Sequence, residues 1–356
     1  MELNPWGSFE VKDYKKLMKN FGINKIDSKK IPKKHHFFNR EIIFGHKDFG
    51  KVASAIKNKK HWAMMTGLMP SGKFHFGHKM VADEIIYFQK LGADCYIAVA
   101  DIESYLTRGI SLEDARKTAV EEYLINYIAL GLKPKKVKFY FQSKGSTDYM
   151  NLSKFVSKKT TYNELKSIYG DISPEKMISA FTQVADILHP QLKENGGPKP
   201  VIVPVGVDQL PHLSLTRDIA NRMKFIPPSA TFHKLMPGLK GGKLSSSDPG
   251  SAIFLTDTPK EIKKRVNKYA FSGGQVTLEE HRKKGGNPDI DISYQWLTYL
   301  EESDAKLKKY HDDYKAGKLL SGEMKGLLID KLNKFLKKHQ EKREKARKQV
   351  DKFIKE

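Results

Sequence analysis

Apolar residues are spaced along this chain in two alternating rhythms. Short unbroken runs at 62–66, 94–100, 137–142 and 200–205 read as strands buried on both faces. Helical spacing lies around and between them: at 14–21, at 76–91 through Met80, Val81, Ile85, Phe88 and Leu91, at 111–131, and at 208–222. Ser111, with Asp114 three residues on, is placed to cap the third of these. Strands alternating with helices predict a parallel, doubly wound sheet, an α/β fold of the Rossmann-like kind. The stretch 143–199 breaks the alternation and is expected to add helices over one sheet edge. After 258 the strand-like runs stop. Helices are predicted at 259–270, 291–316 and 321–354, with loops at 272–274 and 285–288. The expected organisation is an N-terminal extension (1–61), an α/β domain (62–258) with 143–199 as a helical insertion, and a basic all-helical domain (259–356).

The 356 residues suffice for a sizeable core, and 39% hydrophobic with 29% charged residues is a globular composition. No apolar run has the length of a membrane span, and the first ten residues carry no secretory pattern. The single cysteine, Cys95, excludes an internal disulfide and a cysteine-based zinc site. A reducing cytoplasm is the expected compartment. Charge sharpens the picture. The net +23 is concentrated at the ends, with 15 basic and 6 acidic residues in 1–62 and 11 basic and 4 acidic in 331–356. Basic arms around a nearly balanced middle suit a polyanion such as nucleic acid, although solvated lysine-rich helices would give the same count.

Three motifs carry candidate chemistry. Pro70-Ser71-Gly72-Lys-Phe-His75-Phe-Gly77-His78 follows a predicted strand and opens a helix. A helix N-terminus attracts phosphate, Gly77 permits close approach, and His75 and His78 share one face of the first turn. A capped helix with two surface histidines is the plainer alternative. Gly241-Gly-Lys243-Leu-Ser245-Ser246-Ser247-Asp248 is a glycine-flanked loop with one lysine and three hydroxyls, fit to close on a polyphosphate or to be an ordinary surface turn. Gly206-Val-Asp208-Gln209 ends the strand at 200–205, where open α/β sheets bind ligands. There Asp208 can accept ribose hydroxyls, or simply cap the helix that follows.

Order and spacing together resemble the class I aminoacyl-tRNA synthetases. His75-Phe-Gly-His78 matches that family's His-Ile-Gly-His signature, and Lys243-Leu-Ser-Ser-Ser247 its Lys-Met-Ser-Lys-Ser signature. Ser246 stands where the second lysine would be, and Lys73 is a candidate replacement. The run from Gly206 to Ala220 resembles the tryptophanyl and tyrosyl branch. Asn4-Pro-Trp-Gly, Phe44-Gly-His-Lys-Asp, Ile253-Phe-Leu-Thr-Asp-Thr-Pro, Asn267-Lys-Tyr-Ala-Phe-Ser-Gly-Gly and Glu279-Glu-His-Arg-Lys-Lys-Gly-Gly-Asn resemble the archaeal and eukaryotic tryptophanyl type.

The resemblance implies L-tryptophan, ATP with Mg²⁺, and tRNA(Trp) as reactants, and a homodimer with 143–199 near its interface. It implies His75, His78, Lys243 and Ser245 as catalytic groups. Pro70, Ser71, Gly72, Gly77, Gly206, Asp208 and Ser246 would face ATP. Met65, Glu103, Gln183, Asp186 and Gln209 would face the amino acid. Met65 stands where tyrosyl relatives hold the phenol with a tyrosine, and Ala185-Asp186-Ile-Leu is similar to a bacterial tryptophanyl run whose aspartate accepts the indole N–H. Tyrosine specificity, a small nucleotidyltransferase and a non-catalytic tRNA-binding paralogue are the competing readings.

Overall fold

The computed structural model describes residues 13–28, 31–33, 35–242, 244, 248 and 250–354. Seven strands form one sheet: β1 (Asn24–Lys25), β2 (Ile43–Lys47), β3 (Ala63–Leu68), β4 (Asp94–Val99), β5 (Val137–Phe141), β6 (Val201–Gly206) and β7 (Ser229–His233), in the order β1-β2-β7-β6-β3-β4-β5. The five strands β5-β4-β3-β6-β7 run parallel. β2 and β1 add to β7 antiparallel. The sheet is therefore the doubly wound one expected, with an antiparallel edge.

Strand residues alternate between two buried clusters, one on each face. Met64, Leu68, Cys95, Ile97, Val99, Phe139 and Phe141 belong to the first; Ala63, Met65, Tyr96, Ala98 and Tyr140 belong to the second. Burial on both faces explains why these strands read as unbroken apolar runs. The helices Thr147–Ser157, Pro174–Leu188 and Leu210–Arg222 cover the second face. The helix Phe76–Lys90 covers the first. So does a continuous helix from 112 to 130, whose middle turns, Ala119–Leu124, are wound as π-helix. Ser111 caps it as expected, accepting from Asp114 N at 3.0 Å.

Several elements depart from the sequence reading. β7 was not expected. It alternates Ser229, Thr231 and His233 with Ala230 and Phe232, yet all five residues are buried: distant partners meet two of its polar groups, Ser229 Oγ donating to Asp48 O at 2.7 Å and His233 Nδ1 lying 2.7 Å from Glu84. The described part of the N-terminal stretch builds the sheet edge through β1, β2 and the helix Phe49–Lys57. The helix expected over 291–316 is two, Ile292–Leu300 and Asp304–Lys315, because Ser303 accepts from Lys306 N and starts a new one. The short helices Asp101–Arg108 and Leu278–Lys284 were also unexpected.

The C-terminal helices pack into the first cluster together with the sheet. Phe76 meets Trp296 at 5.7 Å and Phe335 at 5.5 Å between ring centroids. Leu328, Leu332 and Leu336 of the helix Ser321–Arg347 are buried in the same cluster as Met64 and Ile97. Within this contact His339 Nε2 lies 2.7 Å from Asn126 Oδ1. Burial pushes the His339 imidazole down to about 4, so it is neutral at pH 7 and donates from Nε2. An unfolded histidine, near 6.5, takes up a proton first as pH falls. The stability His339 contributes is therefore whole above about 6.5 and is lost as pH falls through about 4. The acid-induced loss of stability should be smaller in His339→Gln, by up to about 1.4 kcal/mol per pH unit in that window. Urea denaturation of both proteins at pH 7 and pH 5 measures this, and equal losses would contradict it.

Candidate active site

The chain leaves β3 and β6 in opposite directions. β3 leads through the helix Phe76–Lys90 to β4, and β6 leads through the helix Leu210–Arg222 to β7 on the other side. Strand ends that part in this way leave a crevice at their carboxyl edge. A cavity of about 310 Å³ occupies it. Met65, Gly67, Val203 and Val205 give it strand walls, and Ile187 an apolar helix wall. Glu103, Gln183, Asp186, Gly206, Asp208 and Gln209 border it too. Every residue predicted to face the amino acid is thus gathered round one space, with two of those assigned to ATP.

Its polar groups form two linked sets. On the β6 side Gln183 Nε2 donates to Gln209 Oε1 at 3.1 Å, and Gln209 Nε2 lies 3.4 Å from Asp208 Oδ2. A Cβ at position 206 would collide with the Asp208 carboxylate, so this placement of Asp208 requires the glycine. On the β5 side Asp186 Oδ1 accepts from Tyr140 OH (2.8 Å) and Tyr149 OH (2.7 Å), and its Oδ2 accepts from Gln142 Nε2 (2.7 Å). Burial pushes the Asp186 carboxyl up to about 6, against the three donors that favour the carboxylate. Among the described residues no lysine pairs with it; two tyrosine hydroxyls and an amide, all uncharged donors, do. Burial also pushes His189, packed edge-on to Tyr140 and tilted against Tyr149, down to about 3.

The two signature histidines make a reciprocal cap. His75 N donates to His78 Nδ1 at 3.2 Å, and His78 N donates to His75 Nδ1 at 3.3 Å. The rings stack at 3.7 Å and 9°. Burial pushes His75 down to about 4, and burial together with His75 holds His78 well below its ordinary value. Both rings are therefore neutral near pH 7. Since each Nδ1 accepts a backbone N–H, each proton sits on Nε2. The pair offers two fixed N–H donors with no net charge. Gly77 leaves room for this, because a Cβ there would lie 3.0 Å from the His75 ring.

This helix start is held from two sides. Phe74 N donates to Glu122 Oε2 at 3.2 Å, while Glu122 Oε1 pairs with Arg343 at 3.3 Å. Leu255 N donates to Phe74 O, and Phe76 N to Ile253 O. The Gly/Ser loop joins in through Leu244, whose Cδ2 sits 3.8 Å from where a Cβ of Gly77 would be. The histidines, Pro70, Ser71, Gly72 and Gly77 lie outside the cavity wall, on the connection that leaves β3. Lys243, Ser245 and Ser246 lie outside the described residues. Lys73 is exposed, its Nζ 6.0 Å from the Phe254 ring.

Sequence reasoning missed four side chains. Gln142 borders the cavity, and its position at a strand's carboxyl end was the available signal. Tyr140 and Tyr149 both donate to Asp186 Oδ1, which no spacing reveals. His233 borders the cavity from the unexpected β7, its Nδ1 2.7 Å from the buried Glu84 carboxylate. Burial alone would lower His233, but Glu84 outweighs it and holds the imidazole above its ordinary value. Removing the Asp186 carboxylate in Asp186→Ala would leave two tyrosine hydroxyls and an amide buried without an acceptor. The expected cost is at least about 3 kcal/mol of stability, read by chemical denaturation; a variant as stable as wild type would refute the network.

A model of the family described as "tRNA synthetases class I (W and Y)" matches residues 57–337. The tryptophan–tRNA ligase of Methanocaldococcus jannaschii is 47% identical over 98% of this chain and 96% of its own length. That of Aeropyrum pernix is 45% identical over 97% and 95%. The crystal structure of tryptophanyl-tRNA synthetase from Aeropyrum pernix K1 superposes with a TM-score of 0.92 at 44% identity, covering 99% of both chains.

Proposed function

The chain belongs to the class I tRNA synthetases of the W and Y family, and on that premise we propose that it is the tryptophan–tRNA ligase of its cell. It activates L-tryptophan with ATP and passes the aminoacyl group to the 3′ end of tRNA(Trp). The observation that carries this reading is the cavity itself: apolar walls at Met65, Val203 and Ile187 fit an aromatic side chain, and the polar groups at its border fit an amino acid and a ribose. Relatives with the same printed activity, matched over nearly the whole chain, support it.

The carboxylate of the amino acid attacks the α-phosphorus of ATP. A carboxyl–phosphate bond forms, the α–β bridging bond breaks, and pyrophosphate leaves. A hydroxyl of the terminal tRNA ribose then attacks the activated carbonyl and AMP departs. Neither step needs an activated serine or cysteine; positioning and charge stabilisation suffice. The Nε2–H groups of His75 and His78 donate to phosphate oxygens, beside Pro70, Ser71, Gly72 and Gly77. Lys243, Ser245 and Ser246 complete the phosphate contacts from the loop. Asp208 and Gly206 take the ATP ribose. Glu103 faces the substrate ammonium, and Gln183 and Gln209 its ammonium or carboxylate. Mg²⁺, a hard cation suited to oxygen ligands, would enter with ATP and offset phosphate charge. We place tRNA along the basic helices after 258, in the cytoplasm. Among the described residues no helix is long and apolar enough to cross a membrane.

We also propose a homodimer. Met150, Phe155 and Ile178 are 40%, 58% and 50% exposed, on the two packed helices Thr147–Ser157 and Pro174–Leu188. A second copy covering them would remove that apolar surface from water.

Tryptophan should drive exchange of pyrophosphate into ATP without tRNA; exchange driven by another amino acid instead would overturn the assignment. His78→Ala should slow activation by over a hundredfold, roughly 3 kcal/mol, with little change in tryptophan binding. Single-turnover activation and equilibrium dialysis separate the two. Phe155→Glu should convert a sedimenting dimer to monomer, and an unchanged sedimentation coefficient would move the interface elsewhere.

A further inference from the structure

Gln142 carries an unspent hydrogen-bonding group at the cavity. Its amide nitrogen is committed to Asp186 Oδ2 at 2.7 Å. Its carbonyl oxygen Oε1 is buried and has no hydrogen-bond partner. The residue is 3% exposed and borders the cavity beside Asp186. The orientation of the amide is dictated chemically. A carboxylate can only accept, so Gln142 must turn its NH₂ toward Asp186 and present its oxygen elsewhere. Asp186, titrating near 6, is mostly ionised at neutral pH and keeps the amide turned that way. An orphaned buried acceptor is costly, of the order that a donor from a ligand would recover.

We infer that Gln142 Oε1 accepts the indole N–H of tryptophan, and that Asp186 is a positioning residue that fixes the Gln142 amide rather than contacting the indole itself. The inference rests on the tryptophan reading above. Asp186 already receives three donors before a ligand arrives, two on Oδ1 and one on Oδ2. Gln142 Oε1 receives none among the described residues. Phenylalanine has no N–H to offer and would leave the acceptor unpaired. Tyrosine presents its hydroxyl at the end of a narrower ring, and Met65 gives that hydroxyl no partner.

The test uses a substrate pair that differs at the decisive atom: tryptophan and 3-benzothienyl-alanine, in which sulfur replaces the indole N–H. Amino-acid-dependent pyrophosphate exchange is measured with the full-length enzyme. Wild type should prefer tryptophan in kcat/KM by about tenfold or more. Gln142→Leu should bring the two substrates to within about threefold, chiefly by losing tryptophan, with the KM for ATP unchanged. Asp186→Asn should do the same, because its amide turns Gln142 round and presents NH₂ to the ring. A tryptophan preference retained in Gln142→Leu, or an equal loss on both substrates, overturns the inference. Should that variant fail to fold, the wild-type complex with tryptophan decides. An indole nitrogen within about 3.2 Å of Gln142 Oε1 supports the inference, and one bonded to Asp186 or to neither overturns it. If wild type shows no tryptophan-dependent exchange at all, the functional reading itself has failed.

Discussion

The parting of β3 and β6 is the constraint on which the site depends. Both strands are buried on two faces, and both connections return the chain to the same sheet, one on each side. Their carboxyl ends must therefore leave a gap, and the chain has filled its rim with chemistry. Gly206 and Asp208 end β6. Met65 and Gly67 close β3, and the loop that leaves β3 runs into the His75–His78 turn. The groups that meet there come from stretches up to 170 residues apart in sequence, from Met65 to Leu235. The sheet topology brings them together.

How polarity is managed differs at the two ends of the site. At the helix start the histidines are stripped of charge by burial and fixed by each other's backbone. They offer direction without charge. At the Asp186 end a carboxylate is kept in the interior by three donors, one of which is itself turned by the bond. Both arrangements spend one hydrogen-bonding atom to fix another. This is how an interior that cannot reorganise solvent can still present a defined donor or acceptor.

Much of this was legible in the sequence, for identifiable reasons. β3, β4, β5 and β6 are buried on both faces, so their apolar runs stood out. Ser111 and the Gly206-Val-Asp208 turn follow local rules, and local rules survive in sequence. β7 did not show, because Ser229 and His233 owe their burial to Asp48 and Glu84, partners far away in sequence. The helices after 292 split at Ser303 for a local reason that was overlooked. Of the cavity border, Gly206, Asp208 and Gln209 were legible because they follow a strand end; the histidine pair lies outside that wall, and Lys243, Ser245 and Ser246 lie outside the described residues. Gln142 was missed because its only mark is a place at a strand end, and its meaning depends on where Asp186, 44 positions away, has been placed. Asp186 was found, but its three donors were not, for the same reason.

The seating of the signature helix under the C-terminal one has a bearing on how this protein is made. Phe76 is covered by Phe335 and Trp296, and Glu122 is paired with Arg343. A ribosome has 259 further residues to add after Phe76 before Phe335 exists. At typical synthesis rates of about 5–20 residues per second, that is roughly 13–50 s. Throughout that interval Phe76, at the start of its helix, lacks the Phe335 ring that covers it. The last helix is thus the lid on the first-made half. The contacts at Phe76 and Glu122 are therefore complete only once residues 296–343 have been added. Until Phe335 and Trp296 are made, the apolar surface at Phe76 is open to other chains.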